Sequence, residues 1–160
     1  AAFLADADSF YLGTANAAGQ PYIQHRGGPP GFLRVIDGKT LGFADFTGNR
    51  QYITAGNLAE NPHAFIFAMD YVHRRRIKIW GAARVVAADS ELARPLFPAG
   101  YRAKFEQAIL FTIAAWDTNC PQHIPQKFPA DQVAKTIARC EARITELESE
   151  VERMRGAAIP

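Results

Sequence analysis

The stretch FLRVIDGKTLGFADF, Phe32 to Phe46, holds two β-prone runs around a short polar turn. Phe32–Asp37 and Thr40–Phe46 are rich in aromatic and branched residues. Asp37-Gly38-Lys39 between them carries the Asp-Gly pair that favours a tight hairpin. An antiparallel sheet is therefore the first expectation. Upstream, DSFYLGTANAAGQPYIQHRGG reads as a second hairpin, with strands at Phe10–Thr14 and Tyr22–His25 around the turn NAAGQ. The prolines and glycines of Gly27–Phe32 between the two hairpins forbid regular structure. Downstream, RQYITAGNLAENP fits a short helix that ends before Pro62. HAFIFAMDY is almost wholly apolar, as a buried central strand is, and RRIKIWGAARVV alternates.

The first 86 residues thus predict six strands at close spacing with one short helix inserted. The class is mainly β with helices (α+β), an antiparallel barrel or sandwich. From Ser90, SELARPLFPAGYRAKFEQAILFTIAAW turns helical, and its prolines split it into two short helices. DTNCPQHIPQKFP is irregular. Between Asp131 and Arg155, residues Ile137, Cys140, Ile144, Leu147, Val151 and Met154 sit at alternating steps of four and three. That is a heptad seam on an amphipathic helix. It predicts a helix that packs on its own barrel or on a partner chain. Residues 1–130 are read as one domain and 131–160 as the appended helix.

Composition narrows the function. The 160 residues are 48% apolar, and 18 basic against 16 acidic side chains leave a net charge of +2. That balance is too even for a dedicated nucleic-acid binder. No apolar run reaches the roughly 18 residues of a membrane span. Two cysteines, Cys120 and Cys140, suit a reducing compartment. The opening AAFLADADSF lacks the positive n-region of a signal peptide. A cytoplasmic protein with no nucleic-acid or membrane partner is expected.

Three stretches carry chemistry. In HRRRIKIWG, His73 to Gly81, strand alternation puts Arg74, Arg76, Lys78 and Trp80 on one face and Arg75, Ile77, Ile79 and Gly81 on the other. The first face is either solvated or a shelf for a flat anionic ligand. In GNRQYITAGN, Gly48 to Asn57, Arg50 stands just before the helix start, whose free N–H groups attract phosphate, and Gln51 and Thr54 add polar contacts. In HRGGPPGF, glycines permit close backbone approach and Arg26 is a phosphate candidate. Cys120 and His123 in CPQH make half a zinc site without a second half, so no metal is expected. No catalytic residue can be assigned.

Together these blocks resemble the pyridoxamine 5'-phosphate oxidase-like, FMN-binding split-barrel proteins. They carry the resemblance over roughly Asp8 to Ala88 and more weakly in WDTNCPQHI. The chain is most similar to the bacterial flavin-nucleotide-binding subgroup. The resemblance implies a six-stranded split β-barrel and a homodimer with FMN at the subunit interface. It places Phe32, Leu33, Arg34 and Val35 along the flavin ring, mostly through backbone, with Asp45 and Phe46 beside them. It places Asn49, Arg50, Gln51 and Thr54 on the phosphate, and Arg76 and Lys78 at the flavin edge. It has a second subunit close the site with Trp116, Gln122 and His123. The implied function is an FMN-dependent oxidoreductase that exchanges a hydride or electrons with a small-molecule substrate or electron donor. The alternative is a non-catalytic FMN-binding partner or sensor; haem or a deazaflavin is a weaker option. The chain departs from pyridoxamine phosphate oxidases proper, which carry Arg-Lys at the phosphate turn where this chain has Arg50-Gln51. They also end in an arginine-bearing segment where this chain has a heptad helix. Pyridoxamine phosphate is therefore not the expected substrate.

Overall fold

The computed structural model describes residues 2–48, 50–118 and 121–157. It divides into two compact units, residues 1–124 and 125–160. The first unit is built on seven strands: β1 (Ser9–Ala15), β2 (Pro21–Gly27), β3 (Arg34–Val35), β4 (Thr40–Phe46), β5 (His63–Asp70), β6 (Arg75–Ala87) and β7 (Phe105–Thr118). Helix α1 (Ala2–Ala5) precedes them and α2 (Ile53–Glu60) lies between β4 and β5. All strand pairs are antiparallel, in the order β2-β1-β5-β6-β7-β4-β3.

The antiparallel α+β architecture is as expected, and all six expected strands form. Two features differ. The sheet has a seventh strand, β7, where two short helices were expected. Pro95 and Pro98 permit only a 3₁₀ turn at Arg94–Leu96. The stretch from Phe105 to Thr118 contains no proline, and Ile109, Phe111, Thr112, Ile113 and Trp116 are β-branched or aromatic. Four consecutive residues, Ala108–Phe111, are buried because β7 lies between β4 and β6 with both faces covered. Such a run has no period-2 signature and reads equally well as helix. The sheet is also not closed by hydrogen bonds, since β2 and β3 remain its two edges. The run Phe32–Asp37 gives only two residues to β3. Its Phe32 and Leu33 turn inward instead, 2% and 1% exposed.

The sheet nevertheless curls. Arg26 on edge strand β2 donates from Nη1 to Asp45 Oδ1 on β4, at the far side of the strand order. Side chains thus cross the split that the backbone leaves open. The core inside is aromatic and aliphatic: Phe10, Leu12, Phe32, Phe43, Ile66, Ile79, Ile109 and Phe111 are essentially inaccessible. Phe10 stacks on Phe32 with centroids 5.5 Å apart and meets the edge of Phe43 at 5.0 Å. Helix α2 buries Thr54, Asn57 and Leu58 and ends before Pro62 as expected. Its Asn57 Nδ2 donates to Thr14 Oγ1 at 3.0 Å, which satisfies two buried polar groups at once.

The strand β6 alternates as expected up to a bulge. Ile79 is buried, Ile77 packs on the core, and Trp80 is half exposed. Arg74 lies in the preceding turn with a left-handed φ of 52°. Arg75 Nη2 donates to Asp70 Oδ2 at 2.6 Å, and the His73 backbone N–H donates to Asp70 Oδ1 at 3.0 Å. Partial burial pushes the Asp70 carboxyl up, but the bonds from Arg75 and His73 outweigh it and hold the pKa below 3.8. A depressed carboxylate stabilises the fold above its unfolded-state pKa, and the contribution is lost as pH falls through the folded-state value. Arg75→Ala should cost under about 1 kcal/mol at pH 6, since Arg75 is half exposed. Urea denaturation at a series of pH values should show that difference shrinking as pH falls through the folded-state pKa of Asp70.

The second unit holds helix α3 (Ala130–Ala157), which contains the heptad seam. Among the described residues no helix is long and apolar enough to cross a membrane.

Candidate functional site

A shallow polar cleft opens along the split. The edge strand β2 supplies Gln24 and Arg26, two residues apart and so on one face. Strand β4 ends in Asp45 and Phe46. Asp45 sits at the centre of the wall, accepting from Arg26 and, at 2.9 Å, from Gln107 Nε2 of β7. Opposite, Asp45 pairs with Gln107 but Phe46 pairs with Phe105, so Glu106 is an extra residue in β7. This bulge lets the consecutive Glu106 and Gln107 both line the cleft.

The floor is formed by Gly48, Arg50, Gln51, Tyr52, Thr54 and Ala55. Arg50 and Tyr52 both adopt left-handed backbone, with φ of 56° and 53°. Neither is glycine, and non-glycine residues held in this region are found preferentially where a site requires the shape. Tyr52 is also the N-cap of α2 and offers no side-chain cap. The first N–H groups of the helix are therefore free to bind an anion, and no acidic residue stands in its first turn. Tyr52 O–H donates to Glu106 Oε1 at 2.6 Å, which raises the tyrosine pKa. Thr54 Oγ1 donates to Gln24 Oε1 at 2.7 Å, tying α2 to β2.

The charges of the cleft are two arginines and two carboxylates. Asp45 neutralises Arg26, whereas exposed Arg50 makes no ion pair among the described residues. Among the described residues, three buried polar atoms have no partner: Arg26 Nε, Thr47 Oγ1 and Arg76 Nε. Unpaired buried donors are costly and mark places where a ligand acceptor fits. The donor set therefore suits an anion beside Arg50 and the α2 start, with polar ring edges near Arg26 and Thr47.

Of the residues singled out in the sequence, Arg26, Asp45, Phe46, Arg50, Gln51 and Thr54 come together in the cleft. Asn49 lies outside the described residues. The side chains of Phe32 and Leu33 belong to the core, and Arg34 and Val35 stand exposed on β3. Arg76 and Lys78 lie on β6 and do not line the cleft. Lys78 Nζ pairs with Asp117 at 3.0 Å and sits 5.3 Å from the Trp80 ring centre. Trp116 is exposed on β7, and Gln122 and His123 are exposed beyond it, His123 with a φ of 66°. Cys120 lies outside the described residues, and among those described no group of three potential ligands could hold a metal ion.

Gln24, Gly48, Tyr52, Ala55, Glu106 and Gln107 were not expected in the site. Gln24 was legible as the same-face neighbour of Arg26, and Gly48, Tyr52 and Ala55 fall inside the phosphate-turn stretch. Glu106 and Gln107 were hidden by the helical reading of β7.

Known proteins share this architecture. HupZ from Group A Streptococcus superimposes with a TM-score of 0.56 at 18% identity, over 76% of this chain and 90% of that one. General Stress Protein 26 from Bacillus anthracis gives 0.55 at 14% identity, over 73% and 88%. HutZ from Vibrio cholerae, described as a heme storage protein, gives 0.50 at 15%, over 74% and 89%. No curated protein matches the sequence. The family profile described as pyridoxamine 5'-phosphate oxidase matches residues 1–135. Seven antiparallel strands with a polar cleft at the split, and a profile match over most of the length, agree: the chain belongs to the pyridoxamine 5'-phosphate oxidase family.

Proposed function

We propose that the chain is an FMN-binding flavoprotein and an oxidoreductase acting on a small molecule in the cytoplasm, with two copies closing each site. The observation that carries this is the turn at Arg50–Tyr52: a cation with no ion pair among the described residues, on left-handed backbone, leading into an uncapped helix start. A phosphate ester fits there, held by Arg50, Gln51 and the first N–H groups of α2, with Asn49 next to them. Arg26 and Gln107 then offer donors to a flat polar ring, and Phe46 offers an apolar wall. The family resemblance also implies the backbone of Phe32–Val35 along the ring and Arg76 and Lys78 at its edge, which would extend the ring beyond the cleft lining toward β6. Trp116, Gln122 and His123 of the second copy cover the outer face. FMN bound here supplies a ring that takes up a hydride at N5 and holds negative charge at N1 when reduced. The role of the chain is to bind the phosphate, exclude water from the ring and place a cation at the edge that becomes negative.

The spectrum of the purified protein and an FMN titration test this. Bands near roughly 370 and 450 nm and a sub-millimolar Kd are expected, as is normal for a flavin held by its protein. A colourless protein that binds FMN no tighter than millimolar overturns it. A sharp Soret band on adding haem, with no FMN binding, points instead to a haem protein like HutZ. Arg50→Ala should weaken FMN binding by about 1.5–3 kcal/mol through loss of a charged hydrogen bond. Unchanged affinity would remove Arg50 from the phosphate site. Bound flavin that neither NADH, NADPH nor any candidate donor reduces would favour the non-catalytic binding role.

A further inference from the structure

Helix α3 leaves its apolar seam in water. Val133, Ile137, Ile144, Leu147, Val151 and Met154 are each 40% to 59% exposed, and Cys140 is exposed with them. In heptad register, Ile137, Ile144 and Val151 take the a positions, and Val133, Cys140, Leu147 and Met154 take d. Branched residues at every one of these a positions, with Leu147 at d, favour two parallel strands.

The flanking charges say which helix fits against this seam. Arg143 and Glu150 occupy g, and Glu141, Glu148 and Arg155 occupy e. In a parallel in-register pair, each g residue meets the e residue five positions further along the other helix. Arg143 then meets Glu148 and Glu150 meets Arg155, each twice by symmetry, while Glu141 meets uncharged Thr136. Every charged contact is attractive. In an antiparallel pair centred between Ile144 and Leu147, Arg143 meets Glu150, but Glu141 meets Glu148, so repulsion offsets the gain. Arg143 now pairs with Glu146 on its own helix. Both side chains are largely exposed, so exchanging that pair for an interhelical one costs little. We propose that α3 pairs with α3 of a second copy of this chain as a parallel, in-register, two-stranded coiled coil. This is an interface in its own right and needs no flavin.

Cys140 reports the arrangement. In the parallel register the two Cys140 residues face each other across one d layer. In the antiparallel register they are about 16 Å apart along the axis, from a rise of 1.5 Å per residue. That is beyond the roughly 7 Å at which Cα atoms can be bridged. The full-length chain carrying Cys120→Ser is treated with copper phenanthroline in air, which takes two electrons and two protons from the thiol pair, and is run on a non-reducing gel. A covalent dimer should be the main product, and adding Cys140→Ser should abolish it. Moving the thiol to the outward f position, with Ser149→Cys in place of Cys140, should slow cross-linking about tenfold or more. Absence of the Cys140 dimer, or equal linking from Ser149→Cys, overturns the proposal.

A charge exchange provides a second arm in the same Cys120→Ser background. One chain carries Arg143→Glu and Arg155→Glu, the other Glu148→Arg and Glu150→Arg. Each alone should cross-link several-fold more slowly through repulsion at g and e, and the mixture should recover the original rate. A mixture no faster than either chain alone would also overturn the pairing.

Discussion

Asp45→Ala is expected to lower the free energy of unfolding by about 3–5 kcal/mol, because it strands a buried guanidinium. Arg26 and Asp45 are 11% and 13% exposed, so water replaces the lost partner only in part. Asp45 also accepts from Gln107, which would lose its acceptor at the same time. Arg26 Nε already lacks a partner, so the variant would leave most of that guanidinium unsatisfied. Removing both charges, as Asp45→Ala with Arg26→Met, should recover most of the loss, because the penalty lies in the unpaired ion rather than in the missing attraction. Urea denaturation of wild type, single and double variants measures this. If Asp45→Ala is within 1 kcal/mol of wild type, the ion pair does not hold the split together.

Gly81→Ala is expected to destabilise by about 3 kcal/mol through overpacking. A Cβ there would fall inside the van der Waals shell of the Thr112 carbonyl oxygen and 2.5 Å from Phe111 Cε1. One obstacle is backbone and the other a fully buried ring, so neither can yield cheaply. The close approach comes from the bulge, where Trp80 faces Ala115 and Gly81 faces Ile113, leaving Ala114 as the extra residue. Gly38→Ala is the control. Nothing lies within 4 Å of a Cβ at Gly38, so its thermal midpoint should barely move.

The strands were legible where each had one face to water or a turn beside it. Asp37-Gly38 marked the β3–β4 hairpin, and the Asp37 carboxylate accepts the Lys39 N–H at 2.7 Å, which lowers its pKa. The alternation in Arg75–Val86 puts Ile79 inside and Trp80 outside, as the strand does. β7 was illegible because its central residues are buried on both sides, which erases periodicity. The site followed the same division. Arg50, Gln51 and Thr54 could be found because a local signal, a turn before a helix, points to anion binding. Glu106 and Gln107 could not, because their place depends on a bulge and on strand pairing with a segment far away in sequence. The Arg26–Asp45 contact was equally hidden: both residues were singled out, but nothing local says that they touch across the curled sheet.

The central position of β7 has a consequence for how the chain comes to be folded. β4 finds its long partner only in β7, from Thr40 opposite Thr112 to Phe46 opposite Phe105. The loops that must close span roughly sixty to seventy residues, a high contact order that slows folding. A nascent chain emerging from the ribosome can form its N-terminal hairpin and the β5–β6 hairpin early. The hairpin that carries Asp45 must wait, with its apolar face uncovered, until residue 118 has cleared the exit tunnel. The cleft is therefore completed last, and a pause in translation before β7 would present the chaperones of the cell with an unfinished sheet.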